Sequence, residues 1–484
     1  MAVTRFDLAA SAHEEMIQEG FHPDFPREVE QQVAALQKSA RGGWDASLRD
    51  LRALLWSSID NDTSRDLDQI EVAERVSDGI LVRIGIADVD ADVPMGSAID
   101  QHAQSETTSV YTPARTFPML PEALSTDLTS LSPDEDRAAL VIEVVVAEDG
   151  SIAASDIYRA IVRNRFQLTY SGVGPWLEGA GAAPKDVAGS IELQAQLGLQ
   201  DKAARRLRTQ RQRLGALDFD RVEAEPVVTG GELTGIVARR KNRASDLIED
   251  LMIAANEVMA ERLKAAGVAS IRRVVKSPER WPRIVELAAA KGTSLPTEPD
   301  SGALARFLEE QRQEDPAHYP DVSLAVIKLR GPGEYVLGRA TDEGEGHFGL
   351  AAQDYTHSTA PNRRFADLVT QRVIKSVLAK SAAPYADEQL AGIARNCTLK
   401  EDAARKVERT MQKRAAALVF HDRVGQSFRA IVTGVTPKGV FVRVSNPPIE
   451  GRLMRGEQGV DVGDQIRVTL LHTDPQRGWI DFGR

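Results

Sequence analysis

The chain has 484 residues, of which 42% are hydrophobic and 27% are charged, and this composition is typical of a soluble globular protein with two to four domains. The longest apolar runs, at 79–87 and 138–147, are too short to span a membrane, and we find no secretion leader, so we expect a cytoplasmic protein. The single cysteine, Cys397, excludes an internal disulfide, and the net charge of −11 argues mildly against a nucleic-acid partner.

The N-terminal segment is predicted to be helical to about residue 55. Helix-forming residues recur at helical spacing in 8–21 and 26–37, and Pro26 suits the first turn of a helix. We therefore predict a small helical module at 1–49, with a helix-turn-helix as one arrangement that it can take.

Strand-like and helix-like segments then follow in turn. The runs at 79–90, 139–150 and 151–162 predict strands, and a hairpin is expected at 215–237 within a mostly helical stretch. Three segments are locally basic, and they lie at 202–213, 238–243 and 395–414. Each is either a solvated helix face or part of a polarised surface or an internal basic channel.

The last sixty residues have the pattern of a small β-barrel. Residues 425–484 contain four or five short alternating strands separated by Gly or Pro turns, which is typical of an OB-type barrel, although another small barrel or a sandwich edge gives a similar pattern. Lys438, Phe441 and Arg443 lie beside a glycine turn. An aromatic ring among basic residues suits single-stranded nucleic acid, because bases stack on the ring and phosphates are neutralised.

A cluster of carboxylates occupies residues 60–71, DNDTSRDLDQIE. It has three interpretations: a solvated acidic loop, a calcium loop and a catalytic magnesium site. Six residues match the ligand positions of an EF-hand, and they are Asp60, Asp62, Ser64, Asp66, Asp68 and Glu71. Arg65 replaces the glycine that an EF-hand requires, and a predicted strand follows where the exiting helix should be. Mg²⁺ is commonly held by such carboxylates together with substrate phosphate.

Five sequence blocks, taken in order, resemble the catalytic domain of the ribonuclease II family. They lie at 60–69, 84–100, 109–121, 247–257 and 347–368. The C-terminal barrel resembles the OB-type RNA-binding module of such enzymes. The resemblance implies an α+β protein with a large mixed α/β catalytic domain at 50–420 and an OB domain at 425–484. Typical members carry two further barrels before the catalytic domain, and the helical segment 1–49 is too short to hold them.

The resemblance also implies a metal site and two catalytic residues. The family's metal-holding carboxylates match Asp60, Asp66 and Asp68, whereas Gln69 stands where the family has a fourth acidic residue. Asp68 is implied to serve hydrolysis. Arg363 matches the family arginine that contacts the scissile phosphate, and a helix starting near Pro361 would favour an anion there. An ion pair between Arg363 and Asp367 on one helix face is the alternative for this arginine.

RNA-binding residues follow from the same resemblance. Tyr111 and Phe219 match aromatic residues that clamp the stacked bases at the 3′ end, and Tyr170 and Glu249 match positions that favour ribose. His347 and His357 are interpreted as structural rather than metal-binding.

The implied function is a magnesium-dependent, processive 3′→5′ exoribonuclease. It would hydrolyse single-stranded RNA with a free 3′ end to nucleoside 5′-monophosphates, and we expect it to act as a monomer. The alternative is a catalytically silent RNA-binding protein that keeps the fold but has lost turnover through Gln69.

Overall fold

The computed structural model describes residues 6–38, 45, 47–220, 222–229, 232–316, 318–342, 346–437 and 439–484. A mixed α/β region is followed by a closed β-barrel, so the predicted α+β class is confirmed. The helices are α1 (Leu8–Gln18), α2 (Arg27–Lys38), α3 (Ala98–Glu106), α4 (Tyr170–Leu177), α5 (Lys185–Ala188), α6 (Ile191–Arg213), α7 (Arg243–Ala265), α8 (Trp281–Ala290), α9 (Ser301–Glu314), α10 (Tyr319–Arg330), α11 (Phe365–Leu378) and α12 (Asp387–Phe420).

The strands form one large sheet, three two-stranded sheets and the barrel. They are β1 (Arg49–Asp50), β2 (Trp56–Asp60), β3 (Gln69–Val76), β4 (Gly79–Ala87), β5 (Val110–Tyr111), β6 (Thr116–Phe117), β7 (Asp136–Val146), β8 (Ile152–Thr169), β9 (Val222–Thr229), β10 (Glu232–Arg240), β11 (Ser270–Val274), β12 (Glu334–Gly338), β13 (Ser427–Thr436), β14 (Gly439–Ser445), β15 (Pro448–Arg455), β16 (Gln465–Asp474) and β17 (Trp479–Gly483).

The central sheet has six strands in the order β1-β8-β2-β3-β4-β7, and β8 also pairs with β7. Strand β8 runs parallel to β2, and β3 runs antiparallel to both β2 and β4. Both faces are covered, which explains why its strands read as nearly continuous apolar runs. One face buries Trp56 and Ile70 against α11, and the other buries Ile59, Ile84 and Ile142 against α6 and α7. Each such side chain contributes about 1.5–3 kcal/mol through burial.

The N-terminal helices pack on the long helix α12 and on α3. Met16 and Phe21 share an apolar cluster with Phe117 and Met411, and Arg414 pairs with Glu15 at 2.9 Å. The small sheet of β5 and β6 is therefore backed by α1 and α12. The prediction of helix to residue 55 was wrong for its last part, because the described helix ends at Lys38 and β1 pairs in parallel with β8. The limits of the three predicted domains, 1–49, 50–420 and 425–484, remain predictions.

The C-terminal strands close into a five-stranded barrel in the order β13-β14-β15-β17-β16, with β15 and β17 parallel. The end of α12 plugs this barrel, since Ala417 and Phe420 are fully buried in its core. The predicted hairpin is confirmed as the antiparallel pair β9–β10. No helix within the described ranges is both long enough and apolar enough to span a bilayer.

We expect Gly79→Ala to destabilise the central sheet more than Gly96→Ala. Gly79 opens β4 with φ +150°, and a Cβ there would lie 2.2 Å from the carbonyl oxygen of Val146 in the neighbouring strand. Gly96 has φ +80°, and no atom lies within 4 Å of the place that a Cβ would take, so its variant carries only the cost of a positive φ, about 1–2 kcal/mol. The clash should add about 1–3 kcal/mol in urea unfolding. Equal losses would contradict the tight β4–β7 contact.

Candidate active site

The acidic cluster lies at one edge of the central sheet, where β2 ends and β3 begins. Asp60 is the last residue of β2 and Gln69 is the first of β3. Because these strands are antiparallel neighbours, the two side chains meet, and the Gln69 amide donates a hydrogen bond to Asp60 Oδ1 at 3.3 Å. The intervening loop carries Asp66 and Asp68. The structure thus brings the predicted metal-site residues to one place.

Asp68 connects this loop to the turn before α11. Its Oδ1 accepts a hydrogen bond from the backbone N–H of Asn362 at 3.0 Å, and its Oδ2 lies 3.4 Å from Arg363 Nε. Asp68 is buried, whereas the Arg363 side chain is 42% exposed. The arginine can therefore reach a ligand while it remains paired with a fixed carboxylate.

The predicted helix start near Pro361 was wrong. Helix α11 begins at Phe365, and Arg364 is its N-cap. The alternative pairing of Arg363 is not seen either, because Asp367 pairs with Arg364 at 2.6 Å and also accepts from the backbone N–H of Ala360. These bonds hold residues 360–364 in a turn that directs Arg363 toward Asp68.

Burial is the main influence on the pKa values of Asp60 and Asp68, the two inner aspartates of the cluster. Removal from water raises the pKa of Asp60 to about 6 and that of Asp68 to about 7, and the nearby Arg363 opposes both shifts. Buried carboxylates with raised pKa values are stabilised in their charged form by any cation that enters. The site thus favours a positively charged ligand.

Asp66 lies on the outer side of the cluster, next to Tyr111. The Tyr111 hydroxyl is 3.4 Å from Asp66 Oδ2, and its ring is 42% exposed. The tyrosine is held from behind, because Glu408 of α12 accepts a hydrogen bond from its backbone N–H at 3.0 Å. Asp62 points elsewhere and accepts from the Ser171 hydroxyl at 2.6 Å.

The donor atoms fit a magnesium ion in kind, although they are not gathered into a ready-made cage. Within the described part of the chain, no three His, Cys, Asp or Glu side chains are close enough together to hold a metal ion. The carboxylates and the Gln69 amide nevertheless offer the hard oxygen atoms that Mg²⁺ prefers, and buried Asp60 Oδ2 has no hydrogen-bond partner among the described residues. The calcium-loop alternative is excluded by strand β3, which replaces the required exiting helix.

A cavity of about 440 Å³ adjoins Arg363. Phe219 and Glu249, both predicted to bind RNA, line this cavity together with His347 and His357. Its cationic lining residues are Arg208, Arg211, Lys241, Arg330, Arg363 and Arg364. A cavity with several cations and an aromatic ring suits a nucleotide.

Several of these cations are fixed by acids, so the expected basic channel has a mixed charge. Buried Asp250 pairs with both Arg208 and Arg211, and Glu249 pairs with Lys241 at 2.6 Å. The two histidines are neutral wall residues, because burial lowers the pKa of His347 to about 3 and holds that of His357 well below its usual value. His357 also lies 2.8 Å from the Tyr335 hydroxyl.

Tyr170 lies apart from the cavity lining. It is the first residue of α4 and is partly buried against the core beneath β2. Burial and the charges of Asp60 and Glu71 raise its pKa. Tyr170 therefore lies beside the inner part of the acidic cluster.

Two clefts lead from the barrel to Tyr111. One, of about 680 Å³, is lined by barrel residues and α10, and the other, of about 750 Å³, includes Tyr111. Pro320, Arg443 and Pro448 line both. Arg443 also forms an ion pair with Asp321. Phe441 is partly buried on β14, outside the lining of both clefts, and Lys438 lies outside the described residues.

Two contributors were missed by the sequence reasoning. The backbone of Asn362 and the Glu408 carboxylate carry no local signal, because each acts on a partner that is remote in sequence. The sequence did place Glu71 beside the cluster, as a calcium-loop position, but its complete burial was not predicted.

Comparison with known families supports the resemblance drawn from the motifs. The RNB domain matches residues 48–380, and the RNase II-type exonuclease C-terminal S1 domain matches residues 426–484. Ribonuclease R 1 of Lactococcus lactis is 29% identical over 492 residues, which is 95% of this chain and 59% of that protein. The chain thus spans little more than half the length of this relative.

Solved structures share the fold. Mycoplasma genitalium RNase R, in complex with ribose methylated single-stranded RNA, aligns with a TM-score of 0.88 and 23% identity, covering 99% of this chain and 78% of that one. Yeast Ssd1, described as a pseudonuclease, aligns with a TM-score of 0.73 and 17% identity, covering 92% of this chain and 56% of that one. At these identities the likeness concerns the fold.

In the metal-free protein, we expect Asp68→Asn to flatten the dependence of thermal stability on pH. The folded pKa of Asp68, about 7, lies above the ordinary value of about 3.9, so its contribution to stability is complete below the ordinary value and is lost as pH rises through about 7. The wild-type melting temperature in EDTA should fall between about pH 5 and about pH 8 more than that of the variant. Asp62→Asn should parallel wild type. Parallel curves for all three would contradict the raised pKa.

Proposed function

This chain belongs to the RNB domain family, and from that premise we propose that it is a 3′→5′ exoribonuclease. Its substrate is single-stranded RNA with a free 3′ end, its products are nucleoside 5′-monophosphates, and its cofactor is Mg²⁺. The observation that carries the proposal is the contact of half-exposed Arg363 with buried Asp68, beside Asp60, Asp66 and Gln69. A phosphate-binding group and oxygen donors for a cation are thereby placed side by side, as phosphodiester hydrolysis requires.

Different residues would hold the metal ion and bind the phosphate. Asp60, Asp66, Asp68 and the Gln69 amide oxygen would hold Mg²⁺, which when bound helps to activate water and to neutralise the leaving oxygen. The Arg363 guanidinium binds the scissile phosphate through charge-assisted hydrogen bonds. Asp68 orients this arginine through Oδ2, while the Asn362 backbone fixes Oδ1. The phosphate is thus positioned before the bond is broken.

The aromatic residues bind the end of the strand without regard to base identity. Phe219, which lines the cavity, and Tyr111, which lines the second cleft, would stack on bases. Tyr170 and Glu249 would contact the ribose 2′-hydroxyl, which distinguishes RNA from DNA. Because every base can stack on an aromatic ring, such contacts suit an enzyme that accepts every nucleotide.

The barrel would keep hold of the RNA between successive cleavages. The two clefts share Arg443 and lead toward Tyr111, so a single strand lying in them remains bound while its 3′ end is shortened. Lys438 would add a phosphate contact, whereas Phe441, which lies outside the lining of both clefts, would stack only on a base that extends beyond them onto β14. We further propose that the protein acts processively, as a monomer and in the cytoplasm.

A silent RNA-binding protein is the second candidate. The Gln69 amide supplies no charge and donates its hydrogen bond to Asp60, which occupies one of the carboxylate oxygens offered to a metal. The fold also occurs in a pseudonuclease, so it does not decide between the two. Metal-dependent release of mononucleotides from end-labelled RNA distinguishes them.

We expect Asp68→Asn to abolish hydrolysis and leave RNA affinity nearly unchanged, because the grip on the strand lies in the cavity and the clefts. Turnover on a labelled single-stranded RNA should fall below about a tenth of wild type, since a carboxylate that serves the transition state is lost. Asp62→Asn, on the same loop but bonded to Ser171, is the matched control and should retain activity. Retention of turnover by Asp68→Asn would show that hydrolysis occurs elsewhere.

We expect Arg443→Met to weaken RNA binding and reduce its salt dependence. One lost phosphate contact should lower the slope of log affinity against log salt by about 0.7 for a single strand. Fluorescence anisotropy in EDTA measures affinity without cleavage. The control is Arg283→Met, an exposed arginine of α8 that also has an acidic partner, Glu286. An identical slope for both variants would show that the RNA does not follow these clefts.

A further inference from the structure

The carboxyl group of Glu71 is fully buried, and no contact among the described residues explains why a carboxyl group lies there. It lies in β3, two residues after Gln69, and its exposure is 0%. Neither of its carboxyl oxygens has a hydrogen-bond partner among the residues that the structure describes. Burying such a group costs stability, so a sequence that served folding alone would place an apolar residue there.

The surroundings of Glu71 point toward the acidic cluster. Side chains alternate along a strand, so Glu71 and Gln69 share one face of β3. Gln69 in turn donates a hydrogen bond to Asp60 Oδ1 at 3.3 Å. Glu71 therefore lies one position further along the face of β3 from which Gln69 contacts Asp60, at the inner end of the proposed metal site.

Other buried oxygens near Glu71 are also left unsatisfied. Ser57 is opposite Glu71 in the β2–β3 ladder, and Gln200 of α6 reaches the Glu71 carbonyl with its amide at 3.4 Å. Within the described ranges, Ser57 Oγ, Gln200 Oε1 and Asp60 Oδ2 have no hydrogen-bond partner. Several unpaired buried oxygens at one place are expected where a cation and its water molecules bind.

We propose that Glu71 is the fourth acidic residue of the metal site, a positioning residue behind Asp60 and Gln69 whose negative charge replaces the one that Gln69 does not supply. The inference rests on the proposed function, because it concerns the same metal. With Asp60, Asp66 and Asp68, the buried and unpaired Glu71 would bring four carboxyl groups to the proposed site. The negative charge would come from Glu71, the third residue of β3, rather than from Gln69, its first residue.

Metal binding to the RNA-free protein tests this assignment directly. Calorimetric titration with Mn²⁺ should show binding about 10–100-fold weaker for Glu71→Gln than for wild type, as expected when an outer partner of a metal ligand is lost. Gln69→Asp should bind more tightly than wild type. In that background Glu71→Gln should cost much less, because Asp at position 69 already provides the charge, and this non-additivity is the signature of a shared role.

Stability without metal separates a metal-site role from a structural one. In EDTA, Glu71→Met should be at least as stable as wild type, since an apolar side chain replaces an unpaired buried carboxyl, and Glu71→Gln should be about as stable as wild type, since one unpaired polar group replaces another. Glu106→Gln is the matched control. Glu106 is also buried, but it accepts from the His22 backbone N–H at 2.9 Å and lies 3.8 Å from Lys400, so its variant should lose stability and keep its Mn²⁺ affinity.

Three results would overturn the inference. Equal Mn²⁺ affinity of wild type and Glu71→Gln would remove Glu71 from the site and leave the proposed function intact. A loss of affinity that is matched by a loss of metal-free stability and persists unchanged in the Gln69→Asp background would assign Glu71 a structural role. Absence of Mn²⁺ binding by the wild-type protein would overturn both this inference and the metal-dependent function.

Discussion

The buried carboxylate of Asp68 joins two parts of the chain that lie 294 residues apart, through its hydrogen bond from Asn362. A charge removed from water needs partners, and Asp68 finds them in this backbone N–H and in Arg363. The loop after β2 and the turn before α11 therefore depend on one another. Everything else at the site is arranged around this junction, which itself requires the central sheet and α11 to be packed together.

Four of the five arginines around the cavity fall into two groups. Arg208, Arg211 and Arg364 are held by fully buried acids, Asp250 and Asp367, and so serve as fixed parts of the wall. Arg363 is half-exposed and makes a longer contact of 3.4 Å with its acid. Arg363 can therefore offer the rest of its guanidinium group to a ligand while its Nε stays beside Asp68, since the other arginines keep the wall in shape.

The sequence correctly predicted the secondary-structure elements that depend on neighbouring residues in the chain. Apolar runs located the strands of the sheet, and Gly turns between alternating segments located the barrel. The start of α11 was missed because Asp68 and Asp367 bind the backbone at Asn362 and Ala360, and this overrides the local preference for a helix at Pro361. The grouping of Arg363 with the aspartates came from family resemblance, since no periodicity links residues so distant.

Helix α12 connects Tyr111 with the C-terminal barrel, two parts of the structure that are separate in space. Glu408 holds the backbone of Tyr111, and Phe420, twelve positions later on the same helix, is buried in the barrel core. The helix sets the distance between these points at about 18 Å, and it also sets their rotation about its axis. Inserting one residue between them would turn the barrel by about 100° relative to Tyr111. The orientation of the barrel toward the acidic edge of the central sheet is therefore a matter of helical phase, and lengthening this segment by whole turns preserves it while single insertions do not.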